Sequence, residues 1–320
     1  MPFFSIIMSC YNADKYIEHA INSVINQTYK NWELIIINDG SKDNSLKIIN
    51  KFQKRDKKIK AIHLKKNLGQ AYARNLGINI SKGKWISILD ADDIYSQSKL
   101  DVQSRIIRNL SKDYVLVGTS CVLINKKGKR INNRLHHYPK KTFFLKNNLY
   151  RNNKFPPHSS IVYKKSAIKK IGLFDERFKK CEDYDLWLRL SSIGNFTSTN
   201  KTYINYRVHD SNTSNLSGRY DFSSEVESLL ARVLHVSRLK KLEKELEKKY
   251  SFNELLILTK KNLQENCFYD KNKKINKIKE NFFTILVNFE NIKFIFLLLL
   301  ERYGIYRPDK ILLKNFIKNK

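Results

Sequence analysis

Residues 86–89, Ile-Ser-Ile-Leu, read as a buried strand that runs straight into Asp90, Asp92 and Asp93. A carboxylate cluster at the end of an apolar strand is costly unless a cation lies against it. A hard divalent ion, which takes oxygen ligands, is one occupant. The competing reading is an acidic loop that caps the next helix, because Asp is a good N-cap. An EF-hand does not fit. Ile94 and Tyr95 stand where that loop needs an Asp or Asn and a Gly. A second acidic pair, Glu182-Asp183, opens a helical stretch, where the helix dipole favours carboxylates and where a plain cap is again the alternative. His158 follows Pro156-Pro157, which forces extended backbone before it. His209-Asp210 follows a strand-like run over residues 203–208.

The elements that position these groups alternate. Residues 3–8, 32–37, 59–64 and 85–89 read as strands. Between them, residues 13–26, 45–52 and the stretch after Asn67-Leu68-Gly69-Gln70 have helical periodicity. The order β-α-β-α-β-α-β with short connections predicts a mostly parallel sheet with helices on both faces. Right-handed crossovers then put the strands' C-terminal ends on one edge, where open α/β sheets bind ligands. Residues 9–12, 38–43 and 90–93 should therefore meet in space. That edge offers an aromatic (Tyr11), acids (Asp39, Asp90, Asp92) and a cation (Arg74), a set suited to a base, a ribose and a metal-bridged diphosphate. The turn after the first strand has no glycine, so the dinucleotide fingerprint is absent, and Gly69-Gln70 is not a P-loop. Further on, residues 98–110 read as a helix, 114–118 as a strand, 125–141 as a basic loop and 155–163 as extended.

The chain has 320 residues, 42% hydrophobic and 28% charged, enough to bury a real core. Its net charge of +31 admits nucleic acid, an anionic membrane surface, or a Lys- and Asn-rich compositional bias. Cys10, Cys121, Cys181 and Cys267 are far apart with no CxxC pair, which argues against a zinc ribbon or disulfide framework and fits a reducing compartment. The N-terminus lacks the basic and long apolar regions of a secretory signal, and no run reaches the roughly 18–20 apolar residues of a membrane span. The pattern changes after residue 218. Residues 232–249 read as a basic amphipathic helix, and residues 282–300 as an apolar stretch broken by Glu290 and Lys293.

Taken together and in order, Met8-Ser9-Cys10-Tyr11-Asn12, Asn38-Asp39-Gly40-Ser41-Lys42-Asp43, Asn67-Leu68-Gly69 with Ala73-Arg74-Asn75, Asp90-Ala91-Asp92-Asp93 and Glu182-Asp183 resemble the family 2 glycosyltransferases, inverting enzymes of the GT-A fold. The resemblance implies a GT-A catalytic domain over residues 1–218, a Rossmann-like mostly parallel sheet flanked by helices. Residues 219–320 would be a mainly α-helical, basic extension. It implies a nucleotide-diphosphate sugar donor, usually a uridine one, and Mn²⁺ or Mg²⁺. By the same resemblance, Asp39 would accept the uracil N–H, Tyr11 would lie against the base beside Ser9 and Asn12, and Arg74 would contact the diphosphate. Asp90 would hold the ribose or support the metal. Asp92 would ligate the metal, and His209 would sit over the diphosphate as a further candidate ligand. Asp183 would be the general base with Glu182 positioning it. His158 is a candidate acceptor-site residue.

The reading is an inverting hexosyltransferase that builds a glycan, such as a bacterial lipopolysaccharide, capsule or lipid-linked chain. Its expected place is cytoplasmic, held by charge on the inner face of the membrane. Two other classes compete. A nucleic-acid binder would explain the charge, but the basic residues are spread along the chain and no recognition motif is present. A sugar nucleotidyltransferase would share the sheet and acids but needs a Gly-rich N-terminal loop that this sequence lacks.

Overall fold

Every position of β1 (Phe4–Cys10) is apolar or small, and the computed structural model sets this strand between two parallel neighbours, β2 (Trp32–Asn38) and β4 (Trp85–Ile88). The structure describes residues 1–131, 141, 142, 146, 149, 155–210, 212, 222–239, 248, 250–269 and 275–278. β3 (Ile59–His63) adds to the far side of β2, also in parallel. Strands buried on both faces need no polar alternation, and β2 is buried at all seven positions. The crossovers are α1 (Ile17–Ile25), α2 (Ser45–Arg55) and α3 (Gln70–Ile80). Phe4, Ile6 and Met8 pack with Ile17, Ile21 and Val24 of α1 and with Ile49 and Phe52 of α2. Ile7 points the other way, onto α3. A Cβ on Gly77 there would lie 2.6 Å from Ile7 Cγ2, so the glycine sets how closely α3 seats.

The sheet continues beyond β4 with a change of direction. β4 pairs antiparallel with β7 (Val162–Lys164), and β7 antiparallel with β6 (Tyr114–Asn125). β6 runs parallel to β8 (Asn195–Val208), and β8 is antiparallel to the two-residue β5 (Ile94–Tyr95). The eight-stranded order is β3-β2-β1-β4-β7-β6-β8-β5. Helices α4 (Lys99–Arg108), α5 (Lys165–Lys170) and α6 (Glu182–Ser191) complete this part. Two strands are longer than the residue patterns predict. β6 reaches Asn125, and β8 starts at Asn195, through the polar run Thr197-Ser198-Thr199-Asn200, because the two strands satisfy each other's backbone along most of their length. The stretch expected to be extended over 155–163 contains one 3-10 turn at His158–Ser160.

The chain divides into two compact units, Met1–Arg219 and Tyr220–Lys320. In the second, α7 (Phe222–Leu239) packs on α8 (Phe252–Asn266), and β9 (Cys267–Tyr269) pairs antiparallel with β10 (Ile275–Ile278). This hairpin was not expected in a helical extension. Arg232, expected on a solvated basic face, is 6% exposed and donates from Nη2 to Ser228 Oγ at 3.0 Å. Most of the basic run after Leu239 and the apolar stretch over 282–300 lie outside the described residues.

Candidate active site

The C-terminal ends of β1, β2 and β4 and the N-terminus of α6 surround one cavity of about 630 Å³. Its first wall is built by the loops after β1 and β2. Ser9, Tyr11 and Asn12 line it, with Tyr11 half exposed. Asn12 adopts a left-handed φ of 50°, and its Oδ1 accepts the Lys42 N–H at 2.8 Å. Ser41 Oγ accepts the Asn12 N–H at 3.0 Å, and Ser45 Oγ the Ala13 N–H at 2.9 Å. The two loops are thus laced together by side-chain oxygens of residues 41–45. Gly40 allows the turn: its φ is +71°, and a Cβ there would meet the Lys66 carbonyl carbon at 2.5 Å. Asp39 lines the cavity but is 2% exposed. Its two oxygens accept the N–H groups of Leu68 (2.7 Å) and Gly69 (2.9 Å), so it also fixes the loop that leads into α3.

The second wall holds the acids after β4. Asp90 and Asp92 line the cavity; Asp93 does not. Asp93 is 1% exposed, and its Oδ1 accepts the Arg207 N–H at 2.9 Å, tying this loop to β8. Burial, then the charges of Asp92 and Asp90, push its carboxyl well above the usual range. Asp92 Oδ2 lies 2.9 Å from His209 Nε2, and Arg207 Nε donates to the Asp92 carbonyl at 2.8 Å. Tyr16 stacks on the His209 ring with centroids 4.9 Å apart, and the Arg207 guanidinium lies 4.8 Å from the Tyr16 ring.

The third wall is α6. Glu182 and Asp183 open this helix and line the cavity. Arg74, from α3, is 3% exposed and bridges the second and third walls. Its Nη1 forms an ion pair with Glu182, and its Nη2 one with Asp90 at 2.8 Å, with Gln70 Oε1 at 3.3 Å from Nη2. Burial opposes its charge, and the carboxylates of Asp90, Glu182 and Asp183 outweigh that and raise its pKa. The terminal nitrogens of Arg74, expected at the diphosphate, already hold carboxylates, which makes Arg74 first a strut between Asp90 and Glu182. Burial raises the Glu182 carboxyl despite Arg74. Asp183 is raised to about 8 by burial and by the Glu182 charge, with Arg74 opposing, and its Oδ1 accepts the Tyr184 N–H at 2.6 Å.

The eleven residues given a role by the resemblance, His158 among them, line this one cavity, and Asp93 of the acidic cluster does not. Sequence reasoning missed Tyr16, Asn67, Gln70, Lys179, Lys180, Trp187 and Asn212, which line it too. Asn212 Oδ1 accepts the His209 N–H, a backward contact that no turn motif in the sequence announces. Among the described residues, no three His, Cys, Asp or Glu side chains form a cage for a metal ion. A cation that arrives with phosphates needs only one or two protein ligands, the rest being phosphate oxygens and water. Asp92, 24% exposed, and His209 beside it fit that demand.

The Glycosyl transferase family 2 profile matches residues 5–172. An uncharacterized glycosyltransferase of Haemophilus influenzae is 32% identical over 228 residues, 67% of this chain and 68% of that protein. S. aureus TarS 1-349 in complex with UDP-GlcNAc superposes with a TM-score of 0.60 at 20% identity, covering 79% of this chain and 73% of that one. The mannosyltransferase PcManGT of Pyrobaculum calidifontis, in complex with GDP-Man and Mn²⁺, superposes with a TM-score of 0.54 at 12% identity, over 100% of this chain and 88% of that one. At these identities the two structures establish the fold, which is that of the GT-A glycosyltransferases. The chain belongs to glycosyl transferase family 2 and is a glycosyltransferase.

Proposed function

We propose that this glycosyltransferase moves a sugar with inversion from a nucleoside-diphosphate sugar, a UDP-sugar in the first instance, to a hydroxyl of a growing glycan or lipid-linked glycan. One observation carries the reading: in a single cavity, Asp183, raised to about 8, opens α6 on one wall while Asp92 and His209 occupy another, with Arg74 fixing Asp90 and Glu182 between them. The UDP-GlcNAc bound by TarS supports the choice of donor class, and the GDP-Man bound by PcManGT makes a guanine nucleotide the second candidate.

The base and ribose lie along the first wall, against Tyr11, with Asp39 holding the loop over residues 67–69 in place and offering its remaining lone pairs. The diphosphate lies at Asp92 and His209. A divalent cation bound there, Mn²⁺ or Mg²⁺, supplies a positive charge that stabilises the developing negative charge of the leaving diphosphate. Asp183 Oδ takes the proton of the acceptor hydroxyl as that oxygen attacks the anomeric carbon from the face away from the nucleotide. A base whose pKa lies near working pH combines a useful fraction of carboxylate with real proton affinity. Glu182, paired to Arg74, keeps the start of α6 in register with Asp90, so base and diphosphate sites stay at a fixed separation.

A thermal-shift titration with UDP, GDP and CMP, each with and without Mn²⁺, tests the site. A ligand that binds only the folded chain raises the melting temperature. The expected result is a UDP shift that needs Mn²⁺ and is lost in Asp92→Asn. No shift with any nucleotide would contradict the proposed site.

A further inference from the structure

His158 opens a one-turn 3-10 helix directly after Pro156-Pro157. This turn is held from three sides. Ser160 Oγ donates to the Pro157 carbonyl at 2.7 Å, Gln103 Nε2 donates to the Ser160 carbonyl at 3.0 Å, and Ser159 Oγ accepts the Asp90 N–H at 3.1 Å. The imidazole lines the cavity yet is only 6% exposed, with the rings of Phe174, Tyr163 and Trp187 centred 5.5, 5.9 and 6.0 Å away. Its Nε2 is buried and has no hydrogen-bond partner among the described residues. Folded proteins rarely bury a polar atom without a partner, and this one belongs to a side chain that lines the cavity.

Its place in the cavity says which part of a ligand that is. The neighbouring Ser159 binds Asp90. Phe174, against the His158 ring, lies 5.8 Å from the Arg74 guanidinium that joins Asp90 to Glu182. His158 therefore sits between the end proposed for the diphosphate and the end that carries the base. In a single displacement the anomeric carbon lies between the leaving diphosphate and the base, so the ring facing His158 is that of the sugar in transit.

We propose that His158 Nε2 hydrogen-bonds a ring hydroxyl of the transferred sugar and so helps to select that sugar. This rests on the reading of the cavity as a nucleotide-sugar site. Burial, reinforced by the Arg74 charge, pushes the His158 pKa well down, so the ring is neutral and offers one N–H and one bare nitrogen; a hydroxyl can meet either. The caging rings fix the ring plane, which gives the contact a direction.

The test is calorimetric titration of the full chain with UDP, UDP-GlcNAc, UDP-glucose, GDP and GDP-mannose plus Mn²⁺, taking the tightest nucleotide sugar and its parent nucleotide forward. His158→Phe keeps the aromatic volume and removes both nitrogens. It is expected to bind the parent nucleotide like the wild type and the nucleotide sugar roughly two- to ten-fold more weakly. In a series of deoxy analogues of that sugar, one missing hydroxyl should weaken binding to the wild type and not to His158→Phe. His158→Gln, which keeps a polar tip, should recover part of the loss. Unchanged nucleotide-sugar affinity in His158→Phe, or an equal loss for nucleotide and nucleotide sugar, overturns the proposal. If His158→Phe does not fold, the deoxy series on the wild type decides, and no hydroxyl whose removal costs two-fold or more overturns it as well. A wild type that binds none of the five compounds removes the donor-site reading and this inference with it.

Discussion

Asp183 keeps its proton to about pH 8 because burial and the charge of Glu182 disfavour its carboxylate. The rate consequence is that kcat/KM should rise with pH through the ionisation of Asp183, well above the ordinary carboxylate range, and a steady-state pH profile checks it. The stability consequence has the opposite sign. An acid whose folded pKa exceeds its unfolded one binds more protons when folded, so its contribution is present at low pH and is lost between about pH 4 and pH 8. Asp183→Asn should therefore raise the melting temperature relative to the wild type, more at pH 8 than at pH 5. Arg74 is the converse case. Its removal leaves Glu182, 2% exposed, as an unpaired buried acid, so Arg74→Ala should lose about 3–5 kcal/mol by denaturant titration. Residue types were legible in the sequence, since Asp39, Asp90, Asp92, Glu182 and Asp183 lie on the cavity, although Asp93 turns away to hold Arg207. Partnership was not: Arg74 and Glu182 stand 108 positions apart, and nothing local to either records that they meet.

Elements with strong periodicity were readable, and those made by pairing were not. β1, β2 and β4 announce themselves as mostly apolar runs, β3 more weakly through Ile59 and Ile62, and the helices between them by their spacing. β5 is two residues long and exists because Asp93, bonded to Arg207, brings the loop against β8. The N-terminal half of β8 is polar and becomes a strand through its backbone pairing with β6. The loops after β1 and β2 show the same dependence on a partner, since Asn12 and Ser41 are turn residues whose hydrogen bonds cross between loops. Gly40 is the point at which this arrangement is most exposed to substitution. Gly40→Ala places a Cβ 2.5 Å from backbone at a left-handed φ, so it should cost about 1–3 kcal/mol in chemical denaturation and weaken UDP binding together with stability. An alanine that left both unchanged would mean that the loop relaxes around the added methyl.

For the whole molecule, the net charge of +31 outlasts any single site. Among the described residues no helix is long and apolar enough to cross a membrane. A chain this basic should sediment with vesicles that contain anionic phospholipid, remain in solution with neutral ones, and detach as salt rises. Equal behaviour with both vesicle types would assign the charge to composition alone. The catalytic arrangement is a whole-molecule property as well, because the proposed donor and base sites come from separate elements, the ends of β1, β2 and β4 against the start of α6, and meet in one cavity. The most direct measurement therefore separates binding from chemistry in Asp183→Asn, by calorimetric affinity for the nucleotide sugar beside the rate of nucleotide release from it. A general base contributes about 10²–10⁴-fold, so release should fall by at least about 100-fold while affinity stays within about three-fold. Release at the wild-type rate, or loss of nucleotide-sugar binding in a folded Asp183→Asn, would contradict the assignment of Asp183 as the base.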